Sequence, residues 1–252
     1  RQEREDVERA IPVENAALYF GMLRSPYAVA PTRVNEFDYP EGDLNVYTHY
    51  RGSGGLPIGH WLQRAAAATY LLEPRLLTAG SIDSTSKLLI RREVRQRVHA
   101  IAPFLDLRGD PYLISIPDPA DPTIGTEQHQ YWVVEGFTHS STYPYSAAVS
   151  DNDSDRYLRN SVKAVVDAYN GSVQLYISEP DDPLIQGWAQ VFPRLFQTLD
   201  QMPTSIRDHL RVPEELFDVQ VKQLQRYHVE DPRVFYSGDD VWQVPLEVYD
   251  GE

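Results

Sequence analysis

The chain has 252 residues, 42% of them hydrophobic, a formal net charge of −14 and no cysteine. That length buries a sizeable core, as one large domain or two closely associated ones, while the charge argues against a nucleic-acid surface and against docking on an anionic membrane face. Without cysteine, thiol catalysis, disulfides and thiolate metal sites are excluded.

Residues 1–10 are mostly charged and read as a helix leading in from a preceding segment. The chain opens on Arg1-Gln2-Glu3-Arg4, with no initiator Met or signal peptide, and reads as a piece of something longer. Val13 to Thr48 is rich in Pro, Tyr and Asn, with short extended pieces such as Tyr27-Ala28-Val29. Arg51-Gly52-Ser53-Gly54-Gly55 reads as a flexible turn before a helix from His60 to Leu72, which Pro74 stops. The longest apolar run, Ala65 to Ala68 with its flanks, falls far short of the ~20 residues of a membrane span.

A second helix is expected from Ser81 to about Ala102. Ile90, Val94, Val98 and Ile101 lie there on one stripe, and Arg91, Arg92, Arg95 and Arg97 cover other faces. Asp110-Pro111 leads into a strand from Tyr112 to Ile116, and Pro117 to Gly125 is a loop. Gln130 to Phe137 reads as a strand paired with the first, and a Tyr/Ser/Asp-rich connection follows from Thr138 to Arg156.

The strongest local pattern is residues 162–177. Val162, Ala164, Val166 and Ala168 alternate with polar or half-polar neighbours, Asn170-Gly171 turns the chain, and Val173, Leu175 and Ile177 return. A two-residue type I′ turn puts Ala168 opposite Val173 and Val166 opposite Leu175. Beyond it, Asp182 is the natural N-cap of a helix with Pro183 at N1. A short helix is expected near Thr204 to Leu210, and an amphipathic one from Pro213 to about His228, with Glu214 and Glu215 complementing its dipole. Asp231-Pro232 reads as a turn and Phe235 to Tyr249 as extended structure. The mixed order indicates an α+β fold, antiparallel β-hairpins packed with several amphipathic helices. Residues 1–252 are taken as one domain, with a candidate sub-division near 105–110.

Several ordered blocks resemble a known family. They include Glu36-Phe37-Asp38-Tyr39-Pro40, Gly54-Gly55-Leu56-Pro57, Ile101-Ala102-Pro103-Phe104-Leu105, Tyr131-Trp132-Val133-Val134, Tyr143-Pro144-Tyr145-Ser146, Asp167-Ala168-Tyr169-Asn170-Gly171 and Asp231-Pro232-Arg233-Val234-Phe235-Tyr236. From Phe20 to Pro245 the chain is similar to uncharacterised protein family 0182, large multi-pass bacterial membrane proteins. It departs after the tryptophan strand, where members read Asp-Ala-Tyr-Thr and this chain reads Glu135-Gly136-Phe137-Thr138. The resemblance implies that this region lies outside the cytoplasm, beside the transmembrane portion of its own chain. It implies no reaction, substrate or catalytic residue set.

Asp151-Asn152-Asp153-Ser154-Asp155 resembles the start of a calcium loop, but its sixth and twelfth positions are Arg156 and Val162 rather than Gly and Glu. A looser Ca²⁺ site at Asp151, Asp153 and Asp155 stands beside the alternative of a solvated acidic loop; no other cofactor is evident. The seven histidines form no HxH or HxxxH pair. A hydrolytic set drawn from His139, Ser140, Ser141, Asp167 or Glu135 is conceivable, without a nucleophile elbow. Thr138 to Ser146 carries Tyr143 and Tyr145 around Pro144, a mix of rings and hydroxyls suited to stacking on carbohydrate or peptide, with Trp132 and Trp242 as extensions. Those aromatics serve equally well as packing at a sheet edge.

The leading expectation is therefore an extracytoplasmic region that binds a cell-envelope carbohydrate, peptide or protein, through Trp132, Glu135, His139, Tyr143, Tyr145, Asp167 and Trp242. The alternative is an envelope hydrolase using clustered carboxylates or a metal. A purely structural assembly role is a third reading.

Overall fold

The computed structural model describes residues 17–41, 44–117, 128–149 and 154–245. Eleven strands and seven helices are found among them, and the fold is α+β. The expected helix at residues 1–10 lies outside the described residues, as does most of the loop from Pro117 to Gly125.

The chain first builds a small sheet. Strands β1 (Tyr27–Ala30), β4 (Leu56–Pro57) and β5 (Lys87–Ile90) pair in the order β1-β5-β4, beside a separate hairpin of β2 (Glu36–Glu41) and β3 (Leu44–Thr48). The helix expected from His60 to Leu72 is α1 (Trp61–Leu71), N-capped by His60 and closed by Leu72 in the left-handed conformation. With α2 (Arg75–Thr78) it covers a cluster of Ile58, Ala67, Leu76, Ile82 and Leu88.

The single helix expected from Ser81 to Ala102 is instead two elements. Lys87–Ile90 is the central strand of the small sheet, with Leu88 and Leu89 both buried. Arg91 then takes a φ of 50°, and helix α3 (Val94–Ile101) starts after Glu93, whose carboxylate accepts from the N–H groups of Arg95 and Gln96 at 2.9 Å each. Only Val94 and Val98 of the expected stripe are core residues of a helix.

The main sheet has six strands: β6 (Asp106–Leu107), β7 (Tyr112–Pro117), β8 (Gln128–Ser140), β9 (Tyr157–Asp167), β10 (Val173–Ile177) and β11 (Phe196–Thr198). The order is β11-β10-β9-β8-β6, with β7 on the first half of β8; β10 and β11 are parallel and the other pairs antiparallel. The expected pairing of Tyr112–Ile116 with the tryptophan strand is therefore present, with Leu113 opposite Trp132.

The 162–177 hairpin forms, but with a longer loop. Val166, not Ala168, lies opposite Val173, and Ala164 opposite Leu175. The shift is two residues, so each side chain keeps its face. Its cause is Asp167, whose Oδ1 accepts from the N–H groups of Tyr169 and Asn170 at 2.8 Å each, while Gly171 alone supplies the positive φ, 71°.

One face of the main sheet, with Val134, Val162, Ala164, Val166 and Leu175, packs on Phe20, Val94, Val98 and on Ile185 of helix α4 (Pro183–Val191). The other face, with Val133, Val165 and Tyr176, packs on Met202 and on Ile206 of helix α5 (Thr204–Arg207). Strand β9 is thus buried on both faces from Asn160 onward, which the apolar alternation did not foretell. The segment expected to be a flexible turn is wedged against the hairpin loop. Ser53 N–H donates to Asn170 Oδ1 at 2.8 Å, and a Cβ on Gly54 would stand 1.9 Å from the Asn170 carbonyl oxygen.

Helix α6 (Glu214–Tyr227) begins after Pro213 with Glu214 and Glu215 in its first turn, as expected. Phe235 and Tyr236 are not extended: Asp231 caps Arg233 N–H at 2.7 Å and Pro232 opens helix α7 (Pro232–Ser237), ended by Gly238. Asp231-Pro232 thus repeats the Asp182-Pro183 signature of α4.

Candidate functional site

Glu135 on β8 and Lys163 on β9 stand opposite each other in register. Both are buried, and Lys163 Nζ donates to Glu135 Oε2 at 2.6 Å. Asn160 Nδ2 donates to the same oxygen at 2.9 Å. The other carboxylate oxygen, Oε1, is shielded from solvent and has no hydrogen-bond partner. Buried polar atoms are rarely left so.

Glu135 lines an open cleft of about 620 Å³ at the N-terminal end of α6, together with Arg95, Tyr112, Arg211, Glu214 and Glu215. Arg95 Nη2 binds Asp110 Oδ1 at 2.7 Å, and the Arg211 guanidinium lies 4.7 Å over the Tyr112 ring. Arg211 N–H donates to the Tyr112 hydroxyl at 3.2 Å. Burial above all pushes that hydroxyl up to about 12, with the neighbouring Glu135 charge adding to the effect and the Arg211 N–H opposing it.

A second cleft, about 440 Å³, runs along the flank of α6. Its walls include Tyr143, Tyr157, Leu158 and Asn160, with Leu216 and Val219 of the helix. Tyr143 is half exposed and packs at a tilt of 31° against Tyr157, ring centroids 5.6 Å apart. Asn160 lines this cleft and hydrogen-bonds Glu135, which lines the first, so the two clefts share a wall.

The other sequence candidates are placed apart. Trp132 alternates to the opposite sheet face from Glu135 and donates its indole N–H to the Phe20 carbonyl at 3.0 Å, a packing role. Tyr145 is fully exposed, with a φ of 57°. Trp242 stacks on His228 at 3.9 Å, past the C-terminal end of α6. Trp132 therefore does not extend the Tyr143 surface, while the Trp242 backbone N–H donates to the Gln225 carbonyl of α6 at 3.2 Å.

Asp167 is taken up by the hairpin loop and by His129, whose Nε2 is 2.9 Å from Oδ1. Burial works against its charge, but the bonds from His129 and Asn170 outweigh it and hold the carboxyl below the usual range. His139 lies at the other end of β8, opposite Leu158, whereas Asp167 is opposite Tyr131. The eight-residue offset, roughly 25 Å of strand, separates the expected His139–Asp167 set.

Asp155 is buried, with Oδ2 2.6 Å from Arg108 Nη2 and Oδ1 3.0 Å from His139 Nδ1. Arg108 also holds Asp106 at 2.6 Å. Asp151 and Asp153 lie outside the described residues. Among the described residues no three His, Asp or Glu side chains gather as a metal-holding group.

A buried polar cluster surrounds Asp182, which is fully buried at the N-terminus of α4. Its Oδ2 accepts from Thr138 and Ser161 at 2.6 Å each, and Oδ1 from the Tyr157 hydroxyl at 2.5 Å and from Leu184 N–H at 3.1 Å. The cap was legible in Asp182-Pro183; its three hydroxyl partners were not, since they come from β8 and β9. Lys163, Asn160, Tyr112 and Arg211 were missed for the same reason, and only the strand register that sets Lys163 against Glu135 could have found the first of them.

Fold and clefts together define an α+β region built on a mixed six-stranded sheet, with two adjoining polar clefts beneath one amphipathic helix. The chain belongs to the Uncharacterised protein family (UPF0182), whose profile matches residues 2–251. It is 88% identical over 250 residues to the UPF0182 protein of Parasynechococcus marenigrum (strain WH8102), covering 99% of this chain and 28% of that protein. It is 67% identical to a UPF0182 protein of Synechococcus sp. (strain CC9902), over 99% of this chain and 27% of the relative. Identity to a UPF0182 protein of Synechococcus elongatus (strain ATCC 33912 / PCC 7942 / FACHB-805) is 45%, over 98% and 26%. The chain thus spans little more than a quarter of the length of these curated relatives. No solved structure matches it. None of the described helices is long and apolar enough to cross a membrane.

Proposed function

We propose that this chain is the ligand- or partner-binding region of a larger cell-envelope protein, held at the membrane by segments elsewhere in that protein and facing away from the cytoplasm. The observation that carries the binding reading is the pair of clefts along α6, which present Tyr143 on one side and Glu135 with Arg211 on the other. Mixed aromatic, hydroxyl and charged walls suit recognition of envelope carbohydrate or peptide. The membrane placement rests on the family resemblance. A reporter fused to this region in the full-length protein tests it: signal only from a reporter active in the cytoplasm would overturn it.

A thermal-shift screen at constant ionic strength tests binding, with cell-envelope sugars, peptides, divalent cations and EDTA. A ligand at 100 times its Kd adds ~2.7 kcal/mol, a rise of roughly 5–10 °C for a chain of this size. The rise is expected to disappear in Tyr143→Ala. A calcium-specific rise lost in Asp153→Asn would place a cation at the acidic loop.

The hydrolase reading keeps one foothold. Glu135 lines a cleft and its two donors share one oxygen, the other being shielded from solvent, whereas Asp167, Asp155 and Asp182 each accept several donors. Turnover of envelope glycans or peptides that is abolished by Glu135→Gln would favour it over simple binding.

A further inference from the structure

We propose that a third cleft, between the small sheet and helix α3, binds an amphipathic carboxylate, with its apolar body against Leu56 and Ile101 and its headgroup on Arg91 and Arg97. None of its residues lines either cleft along α6, so the site goes beyond the reading above and does not depend on it.

The cleft, about 330 Å³, is at the small end of the range for small-molecule sites. Leu56 of β4 and Ile101 of α3 are large apolar side chains left exposed on its walls. Arg97 is a fixed donor beside them. Its Nε donates to the Gly171 carbonyl and its Nη1 to those of Ile90 and Arg91, at 3.1 and 3.4 Å. The Phe20 ring lies 4.4 Å from the guanidinium. Nη2 makes no bond among the described residues and stays open to solvent, so Arg97 keeps one reachable donor. Arg91 comes to the same cleft from the turn between β5 and α3, exposed and with no side-chain hydrogen bond or ion pair among the described residues.

The charges select the sign of the ligand. No Asp or Glu lines the cleft, and the nearest in sequence, Glu93, is committed to the N–H groups of Arg95 and Gln96. Burial above all, with the Arg91 charge adding to it, holds the Arg97 guanidinium below its ordinary value. A cation here would add to that repulsion, and an anion relieves it. The donor count selects the headgroup: apart from the two arginines no lining side chain is a donor. A phosphate dianion would be left short of donors, whereas a carboxylate has one oxygen for each guanidinium. The walls select the rest, because an anion without an apolar body would leave Leu56 and Ile101 in water.

Isothermal titration calorimetry tests this with sodium octanoate, against acetate, inorganic phosphate, octyl phosphate and octylammonium. Saturable one-to-one binding of octanoate is expected, weakening by up to about fourfold for each methylene removed on going to hexanoate and butanoate. Arg91→Asn tolerates the φ of 50° and breaks no bond, and should weaken binding at least about tenfold. Ile101→Glu offers the arginines a carboxylate of the chain's own from an exposed position, and should abolish binding. Circular dichroism is expected to be unchanged in both. Octanoate binding that either folded variant leaves unchanged would overturn the site. Acetate or phosphate binding as tightly as octanoate would overturn the apolar body, and octyl phosphate binding more tightly would overturn the carboxylate headgroup. Octylammonium binding as tightly would remove the arginines from recognition, and silence from every probe would overturn the inference outright.

Discussion

Glu135 and Lys163 form an ion pair between directly opposed residues of β8 and β9, 2.6 Å apart and about 6% exposed on either side. The pair sits on the sheet face that also carries Val133 and Val165. Asn160 is the second donor to its carboxylate. Removing one charge strands the other in a poorly solvated place.

Lys163→Met is accordingly expected to destabilise the chain by about 3–5 kcal/mol in urea unfolding. Adding Glu135→Leu to it should regain much of that loss, because the uncompensated charge goes with it. A coupling of at least about 1 kcal/mol is expected from the double-mutant cycle. Strict additivity would mean the two charges do not depend on each other.

Asp182 is expected to matter more than an ordinary cap. Asp182→Ala removes a helix cap, ~1 kcal/mol, and leaves the Thr138 and Ser161 hydroxyls buried without their acceptor, about 1–3 kcal/mol more. Thermal unfolding of this variant compared with Asp181→Ala, an exposed neighbour, separates the buried network from general surface charge.

The same carboxylate, with Asp167, sets an acid limit. Burial opposes ionisation of both, but hydrogen bonds outweigh it and hold both below the usual carboxylate range. A folded pKa below the unfolded one, about 3.9, means the stabilisation is complete above that pH and fades as pH falls through the folded values. The melting temperature should therefore drop steeply below about pH 4, and less steeply in Asp182→Asn. An equal slope in the variant would remove Asp182 from the effect.

Alkali should act in the opposite sense. Burial first, with nearby carboxylates adding to it for Tyr112 and Tyr157, pushes Tyr50, Tyr112 and Tyr157 up to about 12. Because the unfolded chain ionises near 10, their stabilisation is whole below pH 10 and is lost between about 10 and 12. Absorbance titration near 295 nm should show some of the 16 tyrosines ionising late, together with unfolding. A single uniform transition near pH 10 with the fold intact would contradict this.

Gly54 is expected to be intolerant and Gly80 tolerant. A Cβ at Gly54 would press within 1.9 Å of a backbone oxygen, whereas nothing lies within 4 Å of one at Gly80. Gly54→Ala should cost about 1–3 kcal/mol or more and Gly80→Ala stay within about 0.5 kcal/mol. Equal effects would mean that the 51–55 segment is not wedged against the hairpin loop.

The features legible in the chain alone were local, set by residues adjacent along the backbone. Asp182-Pro183 announced a helix start because Pro fits the first turn and Asp caps it, and the Tyr112 and Trp132 strands were legible from their composition and turns. Asn170-Gly171 marked the hairpin, and the ordered motifs carried the family. Phe235 and Tyr236 were misread although the Asp231-Pro232 signature was present, because two aromatics in a row favour strands in isolation.

Tertiary structure decided the rest, since it depends on which strand lies beside which. Arg91 and Glu93 end one element and start another only because Leu88 and Leu89 are claimed by a sheet whose other strands lie some 30 and 60 residues away in sequence. Asp167 lengthened the hairpin loop through contacts that a two-residue turn does not offer. Lys163 is one of the polar residues of an alternating strand, yet the register sets it against Glu135 in a buried pair, and the first residues of α6 wall a cleft beside it. Alternation in one strand reports which side chains share a face; only the elements packed on that face determine whether it is solvent, core or a binding site.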